Sequence, residues 1–247
     1  MKKKLKTNNP ITKTDNPIVL SPRKTSIIFG AIALILVLIS LTGQILRYLT
    51  EYDNAFGLIS LVDVNLELSI PTMFSVILLF ITSALLAVIT VLKKKRNEQF
   101  VWSWAILTIG FLYMSLDEMS SIHELAINPI RKIFGDDLPG YIFFAWVVPA
   151  IVVVSILAIS YVKFFFKLPK KTKIAVLISA VLYLGGALGL EMIGGYYASI
   201  YGIKNLGFNL ISTVEETFEM AGIIVFINAL MKYIQGNFKE VIIYFKN

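Results

Sequence analysis

Residues 71–96 read PTMFSVILLFITSALLAVITVLKKKR, and this stretch decides the fold. Its first 22 residues carry no charge, and four consecutive cations follow, Lys93, Lys94, Lys95 and Arg96. A helix rising about 1.5 Å per residue crosses a hydrocarbon core of about 30 Å in about 20 residues. The stretch is therefore predicted to span a bilayer. The basic run is predicted to stop on the cytoplasmic side, where short loops collect Lys and Arg.

Five more spans are predicted around it. Span one covers about Thr25–Leu49. Span three starts near Phe100, with Trp102 and Trp104 as interfacial anchors. It runs to about Ile127, where Asn128-Pro129 is expected to stop it. That is longer than a bilayer needs, so its last turns are expected to project outward or bend. Span four covers about Tyr141–Phe166, with Pro149 marking a kink. Span five covers about Lys173–Ser199 and span six about Phe208–Ile234. Between spans one and two, Glu51–Ile70 makes a longer outer segment. Residues 1–24 are polar and basic, with Pro10, Pro17 and Pro22, and are expected to form a mobile cytoplasmic tail. No small-residue cleavage site makes them a signal peptide. The predicted fold is all-α: a polytopic bundle of six transmembrane helices over residues 25–247.

Composition supports this reading. The chain has 247 residues, 57% hydrophobic and 16% charged, whereas soluble domains carry about a quarter charged residues. There is no cysteine, which excludes disulfides, thiolate metal sites and cysteine nucleophiles. The net charge of +7 does not indicate nucleic-acid binding, because the charges divide by membrane side. Under the six-span topology, 19 of 23 Lys and Arg fall on the inner segments, and 13 of 16 acids fall on the outer side or in the outer half. Both termini are therefore expected in the cytoplasm, in a protein integral to the plasma (bacterial inner) membrane. The basic runs have topology and anionic-lipid contact as their expected roles. No inverted repeat is visible between the two halves.

The unusual feature is acidic. Span three contains Asp117, Glu118, His123 and Glu124, span five contains Glu191, and span six contains Glu215, Glu216 and Glu219. His123 is the chain's single histidine. Counting the helical rise, Asp117 lies roughly 25 Å and Glu191 roughly 27 Å from the inner ends of their helices. Glu215 and Glu219 lie roughly 11–17 Å below the outer end of span six. The three helices can meet in one pocket that opens outward. On a continuous helix, Asp117 and Glu124 would share a face with Ser121 between them. Glu215 and Glu219 are i,i+4 neighbours. Glu67, at the outer start of span two, is expected at the solvated rim.

Carboxylates buried in lipid cost several kcal/mol or more and repel one another unless protonated or bound to cations. Arg47, Arg131 and Lys132 are too few to balance them. The cluster therefore implies protons, metal ions or a cationic substrate. Oxygen-rich ligation with one imidazole suits a divalent ion, among Mg²⁺, Ca²⁺, Mn²⁺, Fe²⁺ and Zn²⁺. All eight residues named above are candidate ligands. The paired Glu-x-x-His motifs of di-iron sites and the His-Glu-x-x-His motif of zinc proteases are absent. The glycines Gly185, Gly186, Gly189, Gly194 and Gly195 are expected to allow close helix packing.

Ile70-Pro71-Thr72-Met73-Phe74-Ser75, the Ser115–Glu124 stretch, Ala145-Trp146-Val147-Val148-Pro149, the Glu191–Gly195 stretch, and Glu215-Glu216 with Glu219-Met220 occur in this order. In these pieces the chain resembles a family of uncharacterised bacterial six-span membrane proteins, some of them labelled multidrug transporters. The resemblance implies a membrane bundle and no catalytic assignment.

Three functions stay open at this level. One is a metal-dependent enzyme at the outer interface, acting on a lipid-linked substrate with a carboxylate such as Glu216 as general base. The second is a cation- or proton-coupled transporter. The third is a non-catalytic subunit or assembly factor of a membrane complex. Membrane lipids are the expected partners, with a lipid-linked or cationic substrate and no nucleic acid.

Overall fold

The computed structural model describes residues 20–49, 57–66, 68–135 and 138–238. Most of the expected tail, residues 51–56 of the expected outer segment and Glu67 lie outside the described residues. Among the described residues the chain is helical throughout, without strands. The helices are α1 (Pro22–Leu49), α2 (Leu58–Val62), α3 (Ile70–Lys95), α4 (Val101–Ser120), α5 (Ile127–Phe134), α6 (Val147–Lys167), α7 (Lys170–Leu184), α8 (Glu191–Tyr201) and α9 (Leu206–Asn237). A wide π turn over Gly185–Leu190 joins α7 and α8 into one run of 32 residues, Lys170–Tyr201. Four helices are long and apolar enough to cross a membrane: Pro22–Leu49, Ile70–Lys95, Val147–Lys167 and Lys170–Tyr201. The other two stretches expected to span form helices α4, of 20 residues, and α9, of 32, and are not among these four.

Local chemistry sets the helix starts. Ser69 caps α3 by accepting the Thr72 N–H, with Pro71 in the first turn, where its missing N–H costs nothing. Asn205 caps α9 by accepting the Phe208 N–H at 2.9 Å. Pro149 sits in the first turn of α6, so it starts that helix where the sequence suggested a kink. Pro129 likewise lies in the first turn of α5, and Asn128-Pro129 begins a helix where a stop was expected. Trp104 is 3% exposed and belongs to the core, while Trp102 is exposed as an interfacial anchor would be.

Helices α1 and α9 run antiparallel, whereas α3 and α9 run parallel, with their C-terminal ends together where Lys93 lies over Tyr233. Asn228 of α9 donates to the Pro22 carbonyl at one end of α1, and Gln44 donates to Thr213 at the other. The bundle therefore has a basic end, with Lys93–Arg96, Lys167 and Lys170, and an acidic end. Small and hydroxyl residues carry the helix contacts, as they do where lipid offers no hydrophobic drive. Ser83 donates to the Thr108 carbonyl, Ser115 to that of Val76 and Ser179 to that of Gly222, at 2.8–3.0 Å. At the basic end, Trp104 packs on Phe164 and Tyr233 with ring centroids 5.0 and 5.1 Å away. In the middle, Leu78, Leu79, Met220 and Ile227 are fully buried. The outward faces of α1, α6 and α7 are lined with exposed Ile, Leu and Val, a surface suited to lipid.

Candidate functional site

The site begins where α4 breaks. Ser121 adopts the left-handed conformation (φ 46°, ψ 41°), uncommon outside glycine, and its N–H donates to the Asp117 carbonyl at 2.7 Å. The Asp117 carboxylate then reaches past the helix end. Oδ1 accepts the His123 backbone N–H at 2.7 Å, and Oδ2 lies 2.9 Å from His123 Nδ1. One side chain thus holds the turn and fixes the imidazole. The last turns towards Ile127 bend away at Ser121, as their excess length suggested, and the face that a continuous helix would have shared among Asp117, Ser121 and Glu124 does not form. Glu124 stands instead on an exposed 3₁₀ turn, Ile122–Ala126. Burial pulls the His123 imidazole towards a lower pKa. The hydrogen bond it donates to Asp117 and the negative fields of Asp117, Glu124 and Glu191 outweigh that, so its pKa is raised above the ordinary value.

From His123 the contacts run inward. The His123 ring lies 4.5 Å from the Trp146 ring, centroid to centroid, tilted by 56°. Trp146 precedes α6, and its indole Nε1–H donates to Glu191 Oε1 at 2.9 Å. Glu191 opens α8 directly after the π turn. An extra residue in a helix rotates everything beyond it by about 100°, and π turns recur at functional sites for this reason. Here the rotation sets Glu191 between Trp146 and Glu215 of α9. The carboxyls of Glu191 and Glu215 share a hydrogen bond. Two carboxyls share a hydrogen bond only when one of them carries a proton. Glu215 is 8% exposed.

The remaining acids surround this pair. Glu118, Glu216 and Glu219 are half-buried, and each lies in the electrostatic field of others in the group. Tyr183 of α7 sits in the field of Glu219, Glu118 and Glu216. Close backbone approach places Glu219. A Cβ on Gly186 would come within 2.9 Å of the Glu215 carbonyl and of Glu219 Cγ. The π turn therefore presses directly on α9 at the acidic residues. Gly185 and Gly189, in the same turn, face open space and have no packing role.

The structure brings Asp117, Glu118, His123, Glu191, Glu215, Glu216 and Glu219 to one region between α4, α8 and α9, and leaves Glu124 at its rim. Among the described residues, no three His, Asp or Glu side chains stand in an arrangement that could hold a metal ion. Glu191 and Glu215 share a hydrogen bond, and the other acids act on one another through their fields.

A second polar centre escaped the sequence reading. Arg47, counted above among the few cations near the acids, pairs with Asp63 at 2.8 Å, and Asp63 is 1% exposed. Gln44, fully buried, donates to Asp63 at 3.0 Å and to Thr213 at 2.9 Å. Ser40 accepts from Gln44 and from the Val64 N–H. Ser40, Gln44 and Arg47 fall at i, i+4 and i+7 of an otherwise apolar span, and that spacing was the available signal. Trp146 was quoted only as part of a motif, and nothing in its spacing pointed to Glu191. Arg131 donates to the Phe143 carbonyl at 2.6 Å and lies over the Phe143 ring.

The family described as "Domain of unknown function (DUF8692)" matches residues 27–233, from α1 through most of α9. The chain belongs to this family. No curated protein and no solved structure matches it.

Proposed function

We propose that this member of the DUF8692 family is a six-span protein of the plasma (bacterial inner) membrane, with both termini cytoplasmic, that couples protons to cation binding as a transporter does. The observation that carries this reading is the Glu191–Glu215 carboxyl pair. It holds a proton in the absence of a cation, and an incoming positive charge displaces it. Asp117, His123 and Trp146 lead from the acidic end of the bundle to that pair. His123, with its raised pKa, is placed to take protons up and pass them on. The Trp104, Phe164 and Tyr233 rings close the basic end, so a cation reaches the cluster from the acidic, outer side in this conformation.

The six-span reading rests on α4 and α9 lying alongside the four apolar helices. Both are long enough to cross a bilayer, and their acids face neighbouring helices. The orientation rests on the charge division between the two ends. The competing metal-dependent enzyme needs ligands that converge on a fixed ion, and no such group of three stands among the described residues. A transported cation can keep its water and be held by charge, so the coupled-cation reading is favoured. The cation is a divalent ion or the positive group of an organic or lipid-linked substrate.

The test is proton movement in proteoliposomes carrying an internal pH dye. Mg²⁺, Ca²⁺, Mn²⁺, Zn²⁺ and a quaternary ammonium compound are added outside in turn. At least one is expected to drive a pH change that Glu191→Gln with Glu215→Gln abolishes. No response to any of them, from protein shown to be folded, overturns the proposal.

A further inference from the structure

The basic end of the bundle holds a cavity of about 360 Å³ between the α3–α4 turn, the last turn of α6 and α9. Its inner wall is aromatic. Phe100 and Trp104 pack edge-on against Phe164, with centroids 5.8 and 5.0 Å away. Lys93 and Lys167 also line it. Lys93 is held in place by the Glu98 carboxylate and lies 5.6 Å over the Tyr233 ring. Lys167 is exposed and has no ion-pair partner among the described residues. With Glu98 counted against Lys93, the lining carries one net positive charge.

The backbone adds to this charge. α4 starts at the cavity without a side-chain cap, so the unbonded N–H groups of its first turn contribute partial positive charge. Asn97 and Phe100, both on the lining, have φ of 50° and 64°. Asn tolerates that conformation, but a bulky Phe rarely adopts it. Such strain persists where a structure uses the geometry it produces. Here it accompanies the packing of the Phe100 ring on Phe164 in the cavity wall.

We propose that this cavity binds the phosphodiester of an anionic membrane lipid with an uncharged polar headgroup, of the phosphatidylglycerol type. The single net positive charge matches one phosphodiester. A zwitterionic lipid would bring its own ammonium against Lys167. The aromatic wall receives the glycerol and the start of the acyl chains, and Asn97 and Gln99 offer hydrogen bonds to headgroup hydroxyls. The site lies at the opposite end of the bundle from the acidic cluster. It rests on the reading of the chain as a membrane protein and is independent of the cation reading.

Native mass spectrometry of the full chain released from detergent micelles tests it, with phosphatidylglycerol, phosphatidylcholine or inorganic phosphate added. Phosphatidylglycerol is expected to stay bound where phosphatidylcholine does not. Removing one lysine charge with Lys167→Gln is expected to weaken that binding about fivefold, and Lys167→Arg is expected to retain it. Lys163→Gln, an exposed lysine one turn earlier that does not line the cavity, is expected to leave it unchanged. Equal retention of the two lipids, or an equal loss with Lys163→Gln, overturns the proposal. Inorganic phosphate competing as well as the lipid would overturn the lipid source in favour of a free anion.

Discussion

Glu191 and Glu215 share a hydrogen bond between two carboxyl groups, from the first residue of α8 to the third turn of α9. The indole of Trp146 donates to Glu191 as well. The two carboxyls and the indole N–H thus make one set at the acidic end of the bundle.

That set predicts how substitutions behave. Glu215→Gln supplies an N–H where the carboxyl supplied an O–H, so thermal unfolding in detergent should change little. Glu215→Leu keeps the approximate volume but leaves a Glu191 oxygen without its partner. It should cost about 1–3 kcal/mol. Thermal melts of the two variants beside the parent protein check this, and equal losses would show that the shared bond contributes nothing.

The π turn predicts a contrast between neighbouring glycines. A Cβ at Gly186 would lie 2.9 Å from the Glu215 backbone carbonyl, which has no free rotation with which to yield, whereas a Cβ at Gly189 meets nothing within 4 Å. Gly186→Ala should destabilise the protein by about 1–3 kcal/mol. Gly189→Ala should be neutral or stabilising, since alanine is the better helix former. Melting temperatures of the two variants decide it.

The Arg47–Asp63 pair predicts a structural role apart from the acidic cluster. Asp63→Ala strands Arg47 and removes the acceptor for Gln44, and should cost about 2–3 kcal/mol after allowing for the 20% exposure of the Arg47 side chain. Any cation response of the folded fraction should be unchanged. Losing that response with stability intact would place Asp63 in the functional site.

His123 predicts a pH dependence of definite sign. Its pKa in the folded protein is raised above the ordinary imidazole value of about 6.5. The charged pair with Asp117 therefore contributes its full stability below that ordinary value, and the contribution is lost as pH rises through the folded pKa. Melting temperature should fall more steeply with rising pH in the parent protein than in Asp117→Asn. Parallel profiles would contradict the pairing.

Hydropathy and charge division revealed the helices, because long apolar runs leave the chain few alternatives. The same patterns placed spans three, five and six close enough for Glu118, Glu191, Glu215 and Glu219 to meet, as they do. What escaped them was local geometry. The break at Ser121 depends on a side-chain bond from Asp117 to an N–H six residues on, which no helical period encodes. Asn128-Pro129 resembles a stop signal, yet proline is equally suited to a first turn, and the earlier break makes it one. The π turn is invisible in periodicity, although it sets which way Glu191 faces. Asp63 was passed over because it sits between Val62 and Val64 in a short segment with no helical pattern to place it.

The central claim is that the cluster holds a proton that a cation displaces, and infrared difference spectroscopy of carboxyl C=O stretching tests it most directly. Cation addition to the parent protein in lipid should remove a protonated-carboxyl band, and that change should be absent when Glu191→Gln and Glu215→Gln are combined. A cation-free spectrum with no protonated-carboxyl band sensitive to these two positions would contradict the account.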